Sequence, residues 1–207
     1  MAGATPVIFP ALWTAAQDGR VEEVRQLLSE DADIDQRGGP CQSSPLCEAV
    51  CHDHEEVVQM LLENGAEVSA RSNNGYTPLH CAALSGHEAL ALVLLAKGAE
   101  VSARSTNGLA PLHCAALCGT EPVARVLLHV GADLQSTTDD GRTAEDIATQ
   151  YSHPQVAAML KAEEVRREEV HRARCEAFAM GHQERLGAGS RVRWLDAGVL
   201  RMVLEQV

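Results

Sequence analysis

A seven-residue motif recurs in this chain at a spacing of 33 residues. Thr-Pro-Leu-His-Cys-Ala-Ala at 77–83 is matched by Ala-Pro-Leu-His-Cys-Ala-Ala at 110–116. A leucine pair accompanies the pattern at 27–28, 61–62, 94–95 and 127–128. Self-similarity at this period indicates a solenoid, in which each short unit buries its apolar side by stacking on the next.

The residues around the motif predict how one unit folds. Pro78 suits the first position of a helix, where its missing N–H would be unpaired anyway, and Gly86 suits the end of that helix. A second helix is predicted over Glu88–Lys97. The polar, turn-rich stretch 99–108 then predicts a projecting loop or hairpin, called a finger below. Helices of about ten residues are unstable alone in water, so stacking must stabilise them.

These motifs, together with Gly65-Ala66, Gly98-Ala99 and Gly131-Ala132 at the unit ends, resemble the ankyrin repeat. The resemblance implies an all-α fold: an ankyrin-repeat solenoid of helix-turn-helix units with projecting loops or hairpins, plus a C-terminal helical tail. The pattern predicts an array over residues 10–163 and a tail over 164–207. The predicted repeats are 10–40, 41–74, 75–107, 108–140 and 141–163. Terminal units that depart from the motif fit the capping role that solenoids require.

The second unit departs from the register in two ways. Residues 38–42 lengthen the preceding finger by one residue, because the leucine pairs around it are 34 residues apart. Asp53 stands where the next two units have Gly86 and Gly119. We therefore expect a locally irregular finger there.

Charge restricts the class of partner. The chain has a net charge of −12. Residues 1–164 hold nine basic and 23 acidic side chains, a balance of −14. Such an acidic array repels nucleic acid and anionic membrane surfaces, and no apolar stretch in the sequence is long enough to span a membrane. We expect a monomer that binds protein partners with a neutral or basic face, and neither nucleic acid nor membrane.

Cysteine usage bears on the compartment. The seven cysteines are an odd number, and most lie inside helix patterns, with Cys81 and Cys114 at equivalent positions. This predicts a reducing compartment, with the cytoplasm as the first location and the nucleus as the second. The apolar run at 6–13 contains two prolines and follows no basic residue, so we interpret it as the entry to the first repeat rather than a signal segment.

The sequence offers two candidate metal sites. His80-Cys81 and His113-Cys114 are adjacent pairs, but neighbours on a helix point about 100° apart and cannot converge on one ion. The family resemblance implies that these histidines are structural and bond to the helix start and the next finger. The alternative is a zinc site within the cluster Cys41, Cys47, Cys51, His52 and His54. The repeat register already explains Cys47 and Cys51, so we predict no metal and no cofactor.

No catalytic motif is present in the sequence: there is no nucleophile elbow, phosphate-binding loop or zinc-protease helix. We therefore predict a non-catalytic intracellular protein-interaction module and no enzyme. The family resemblance implies a concave groove, here called the finger groove, formed by the finger tips and the exposed side of each first helix. Its predicted residues are Arg71, Asn73, Asn74, Tyr76, Leu84, Ser85, Arg104, Thr106, Asn107, Leu109, Leu117, Cys118, Thr138 and Arg142. Aromatic and apolar anchors beside arginine are typical of binding hot spots. Alternatively, Leu84 and Leu117 only cover the base of the fingers.

The tail predicts one helix over Ala162–Arg185 and a second beginning near Asp196. The second helix has an apolar stripe for docking, here called the tail stripe: Leu195, Val199, Leu200, Val203, Leu204 and Val207. The stripe could cap the array beside Phe178, dock into another protein, or accompany arginines that touch nucleic acid or lipid. An array with a helical tail is similar to the substrate adaptors of ubiquitin ligases, which is the alternative function, although the Leu-Cys core of the ligase-recruiting box is absent.

Overall fold

A computed structural model describes residues 10–185. Ten α-helices lie in this range: α1 (Ala11–Gln17), α2 (Val21–Ser29), α3 (Pro45–Cys51), α4 (Glu55–Glu63), α5 (Pro78–Ser85), α6 (Glu88–Ala96), α7 (Pro111–Cys118), α8 (Glu121–His129), α9 (Ala144–Gln150) and α10 (Pro154–Arg185). Over the same residues the only β pairing is an isolated antiparallel bridge between Gly38 and Ser43. The predicted all-α solenoid of helix-turn-helix units is confirmed.

The array has two layers of helices. The first helices α1, α3, α5, α7 and α9 pack side by side, and each of α2, α4, α6 and α8 packs on the first helix of its own repeat. Leu79 and Leu112 from the first layer and Leu94 and Leu127 from the second are fully buried between the layers. Alanines such as Ala82 are also fully buried in the first layer. Small residues there let the first helices approach closely enough to bury the leucines.

Left-handed residues end the first helices. Gly86 closes α5 with φ +83°, and Gly119 closes α7 with φ +69°. Asp53, at the equivalent position of the second repeat, takes the same conformation with φ +59°. Asp visits this region at lower cost than most non-glycine residues, so the second repeat keeps the chain reversal without a glycine.

The finger at 38–43 is irregular, as the inserted residue predicts. Later fingers close with a backbone bond across four residues, such as Ser72 N to Tyr76 O at 2.9 Å. Here the closure spans five, from Gly38 N to Ser43 O at 3.0 Å. The Trp13 ring lies against this finger and donates Nε1–H to Ser43 Oγ at 3.3 Å. A Cβ at Gly38 would come within 2.6 Å of that ring, so the glycine permits the close approach.

The last described helix differs from the sequence prediction. Helix α10 runs from Pro154 to Arg185 without a break, so the helix expected to start at Ala162 continues the second helix of the fifth repeat. Residues 155–180 contain no Gly or Pro that would end it. Glu163 forms an ion pair with Arg167 one turn later, at 2.9 Å. The predicted boundary between array and tail near residue 163 remains a prediction. The tail stripe and the helix predicted near Asp196 lie outside the described residues.

Candidate protein-binding surface

Two buried histidines, one in the third repeat and one in the fourth, each connect their own repeat to the finger that follows it. The Nδ1 atom of His80 accepts from the Thr77 backbone N–H at 3.2 Å. Its Nε2 is therefore the protonated nitrogen, and it donates to Leu109 O at 2.9 Å. His113 repeats this arrangement, with Nδ1 accepting from Ala110 and Nε2 bonding Ser136 O at 2.9 Å. The structural role implied by the family resemblance is confirmed.

Burial also determines the charge of these rings. Burial lowers the pKa of His80 to about 4, since the surrounding apolar core disfavours the imidazolium. Burial lowers the pKa of His113 as well. Both rings are neutral at pH 7, and both nitrogens of each are already hydrogen-bonded. Neither histidine has a free lone pair for a metal ion.

A second set of inter-repeat bonds was not predicted from the sequence. The residue before each later second helix bonds to a carbonyl at the end of the preceding first helix. The bonds are His54 Nε2 to Gln17 O at 2.9 Å, His87 Nε2 to Cys51 O at 3.4 Å, Thr120 Oγ1 to Ala83 O at 2.7 Å, and His153 Nε2 to Leu117 O at 3.0 Å. The signal was in the sequence, because these residues stand 33 apart.

Two members of the candidate zinc cluster have roles in packing. His54 is engaged with Gln17, and Cys47 is buried in the core. Among residues 10–185 no group of three or more His, Cys, Asp or Glu side chains is arranged to hold a metal. Cys114 is fully buried, and burial raises the pKa of its thiol to about 12. It therefore stays protonated and packs as a small apolar residue.

The arginines of the predicted finger groove connect neighbouring fingers. Arg71 donates Nη1–H to the backbone carbonyl of Arg104 at 2.7 Å. Arg104 donates in the same way to Thr137 O in the next finger. Arg142, in the last finger, instead pairs with Asp140. The side chains of Arg71 and Arg104 keep 46% and 43% of their area exposed, so each still presents N–H groups to solvent.

The finger tips are exposed and also joined through their backbones. Asn74 O accepts from Thr106 N–H at 3.0 Å, and Asn107 O accepts from Asp139 N–H at 3.2 Å. The exposed members of the predicted finger groove are Arg71, Asn73, Asn74, Ser85, Arg104, Thr106, Asn107 and Cys118. These backbone bonds hold the tips at a regular spacing, so their side chains are presented from a fixed frame.

The apolar members of the finger groove are only partly exposed. Tyr76 and Leu109 lie on neighbouring fingers, and both pack against the core with part of their surface in solvent. The Tyr76 ring stands 5.5 Å from the His80 ring. Leu84 and Leu117 also pack against the core, so they do cover the base of the fingers while keeping some exposed area.

A cleft of about 320 Å³ opens between the last two fingers. It is lined by Asn107, Leu109, Thr138, Asp139, Asp140 and Arg142. Four of these six residues belong to the predicted finger groove, Asn107, Leu109, Thr138 and Arg142. The structure therefore brings together an apolar side chain, an amide, a guanidinium and two carboxylates in one concave place, a composition suited to binding a protein side chain.

Two family models match the sequence over this part of the structure. One describes ankyrin repeats in three copies and covers residues 12–105, and the other describes ankyrin repeats in many copies and covers residues 83–128. The chain belongs to the ankyrin repeat family. Ankyrin repeats are typically non-catalytic modules for protein–protein interaction, and that is the class of protein this fold defines. No described helix is long and apolar enough to cross a membrane.

Individual relatives match only over part of the chain. The mouse ankyrin repeat and SAM domain-containing protein 6 is 36% identical over 75 residues, which is 36% of this chain and 8% of the mouse protein. Palmitoyltransferase AKR1 of Lachancea kluyveri is 35% identical over 66 residues, 32% of this chain and 9% of the yeast protein. The probable E3 ubiquitin-protein ligase XBOS32 of rice is 39% identical over 71 residues, 33% of this chain and 14% of the rice protein. The chain thus spans only a small share of these relatives.

Proposed function

We propose that this chain binds a protein partner in the finger groove and acts without catalysis, as an intracellular interaction module. The observation that carries the proposal is the cleft between the last two fingers, where Leu109 and Arg142 stand together. A partly exposed apolar side chain next to a guanidinium can bury an apolar anchor and bond a neighbouring carbonyl or carboxylate.

The rigidity of the fingers supports the same proposal. Arg71 and Arg104 each bond the next finger, and His80 holds the carbonyl of Leu109. Binding therefore requires little ordering of the loops, which lowers the entropic cost of association. The net charge of −14 on residues 1–164 favours a partner with a neutral or basic face.

A matched pair of variants tests the proposal. Partners are captured from cell extract on the full-length chain, identified by mass spectrometry, and their affinities measured with purified components. Replacing both Tyr76 and Leu109 with Ala should weaken binding of the groove partner by about 1–3 kcal/mol. Because both side chains are partly buried, this variant should also lose about 0.5–1 kcal/mol of unfolding free energy, so circular dichroism must verify its fold.

The control replaces Val130 with Ala. Val130 is 44% exposed, directly follows α8 and is not among the predicted residues of the finger groove, so its replacement should leave affinity within about 0.5 kcal/mol of the wild type. Equal losses in the two variants, or none in either, would show that the partner does not use the finger groove.

The alternative function is that of a ubiquitin-ligase substrate adaptor whose tail recruits the ligase. Less evidence supports this function than supports binding in the finger groove. The rice ligase matches over 14% of its length, and the tail stripe lies outside the described residues. We infer that residues 164–207 form a tail segment separate from the array. Capture with a chain lacking residues 190–207 tests it, because loss of ligase subunits from the captured set, with the groove partner retained, would support the adaptor.

All seven cysteines are free thiols, which supports the proposed location in the cytoplasm or nucleus. A fluorescent fusion of the full chain, imaged in cells, tests that location directly.

A further inference from the structure

Helix α6 differs from the other second helices on its solvent side. Aligned on the leucine pairs, Leu92 takes the position of Arg25 in α2, Gln59 in α4 and Arg125 in α8. Leu92 is 50% exposed, which is unusual for a leucine in the middle of a packed helix. The side that α2, α4 and α8 present to water as polar is therefore apolar in α6.

The same change occurs one turn to either side of Leu92. Ala89 takes the position held by Glu22 and Glu56, and Ala96 the position held by Ser29 and Glu63. Both alanines are exposed. Ala89, Leu92 and Ala96 are three and four residues apart and so lie on one face, here called the α6 stripe.

The α6 stripe borders an open groove. A groove of about 170 Å³ lies between the second helices α4 and α6, and a larger one of about 480 Å³ lies between α2 and α4. The walls of the α4–α6 groove are Glu55, Val58, Gln59, Leu62 and Glu63 from α4, and Ala89, Leu90, Val93 and Lys97 from α6 and its end. The short side chains of Ala89 and Val93 leave the α4–α6 groove unfilled.

Charge at the rim indicates what would fill it. Glu55 and Glu63 stand at the two ends of α4, and within residues 10–185 neither carboxylate forms an ion pair. They are eight residues apart, so the two charges are separated by about 12 Å along the helix. The groove thus presents an apolar floor, and its rim carries two carboxylates and one ammonium group, Lys97, so that the rim is net negative.

We propose that the α4–α6 groove and α6 stripe bind an amphipathic helix of a partner protein, at a surface separate from the finger groove. The partner helix places a leucine-sized side chain between Leu62 and Val93, and basic residues about seven or eight positions apart reach Glu55 and Glu63. The alanines of the α6 stripe let this helix approach closely, since the distance between helices is determined by the side chains at the contact.

A second copy of this chain is a poor occupant. A symmetric contact would bring the acidic rims of two copies together, because the same patch is used on both sides. Like charges at an interface oppose association.

A display selection on the full-length chain tests the proposal. The probe is a library of alanine-based helical peptides of about 18 residues with one face randomised. We expect selected peptides to carry Leu, Met or Phe between two Lys or Arg residues. Fluorescence polarisation should show that the Leu92→Arg variant binds a selected peptide about tenfold more weakly than the wild type, or weaker still. Arg25 and Arg125 occupy this position in other repeats, so the variant should fold.

Val130→Arg adds the same charge at another exposed apolar residue and should change affinity by less than about twofold. The variant with Tyr76 and Leu109 replaced by Ala should also bind the peptide normally. The proposal is overturned if no peptide depends on Leu92, or if the selected peptides carry acidic flanks. A peptide lost with Tyr76 and Leu109 but not with Leu92 would overturn it while supporting the finger groove.

Two further outcomes would assign the groove to another occupant and overturn the proposal. One is a dimer in sedimentation equilibrium that dissociates on Leu92→Arg, which would indicate a second copy. The other is tighter peptide binding by a chain ending at residue 185, which would indicate competition from the terminal segment.

Discussion

The imidazole of His80 donates to the carbonyl oxygen of Leu109 at 2.9 Å, across 29 residues of sequence. One partner is a fully buried ring in the core, and the other belongs to a finger residue that we propose contacts a protein partner. The same ring accepts a hydrogen bond from Thr77 at the start of its own helix. A single neutral side chain thus connects the core to the proposed binding surface. Protonation of that side chain should therefore weaken the hydrogen bonds that it makes on both sides.

The pH dependence of stability should report this bond. The pKa of His80 is about 4 in the folded state and about 6.5 in the unfolded chain. The unfolded chain therefore binds a proton between those values that the folded protein does not. The neutral His80 ring contributes its full share of the unfolding free energy above about pH 6.5. This contribution, about 2–3 kcal/mol, is lost as the pH falls toward 4. Urea denaturation from pH 7 to 4.5 measures this loss.

The variant His80→Gln, compared with the exposed His52→Gln, isolates the effect. His80→Gln should show a shallower pH dependence of unfolding free energy, because the group that takes up the proton is gone. His52→Gln should follow the wild type. Parallel curves for all three proteins would contradict a role for His80.

Alanine substitutions at Leu94 and Leu92 should reduce stability by different amounts, because one side chain is buried and the other is exposed on the same helix. Leu94 is fully buried between the layers, so Leu94→Ala should cost about 2–5 kcal/mol of unfolding free energy by leaving a cavity. Leu92→Ala, two residues earlier and 50% exposed, should cost less than about 1 kcal/mol. Chemical denaturation compares them, and similar losses would mean that the register of α6 is wrong.

Gly119→Ala and Gly141→Ala should differ although both glycines have positive φ. Their φ values are +69° and +78°, so alanine is strained at either position. A Cβ at Gly119 would also overlap the His153 ring, whereas nothing lies within 4 Å of one at Gly141. We expect Gly119→Ala to lower the melting temperature more, with an additional loss of about 1–3 kcal/mol. Equal shifts would argue against the His153 contact.

Arg104→Ala should loosen the fingers. Arg104 bonds the Thr137 carbonyl in the next finger, and removal of this exposed, charge-assisted bond should cost about 0.5–1.5 kcal/mol. Arg125→Ala removes only an exposed pair with Glu121 on one helix and should cost less than about 0.5 kcal/mol. Amide hydrogen exchange provides a second measurement. We expect faster exchange at residues 136–142 in Arg104→Ala and unchanged exchange there in Arg125→Ala.

Much of the fold could be predicted from sequence because its causes are local. The motif at 77–83, Gly86 and the leucine pair at 94–95 predict where helices begin, end and bury their side chains, and the structure agrees. The extra residue at 38–42 likewise predicts an irregular finger. The beginning of α10 at Pro154 was missed because a helix can continue through the end of a repeat when no Gly or Pro intervenes.

Of the two surfaces, the sequence by itself predicted the finger groove, and only the tertiary structure decided how its residues are used and where the α4–α6 groove lies. Arg71 was predicted as a residue of the finger groove, but only the stacking of repeats places its guanidinium on the Arg104 carbonyl. Leu92 was visible as an apolar residue at a polar position, but the groove beside it depends on the separation of α4 and α6. The reason is physical: local sequence determines dihedral angles and which face is apolar, whereas these distances arise from the packing of residues about 33 apart.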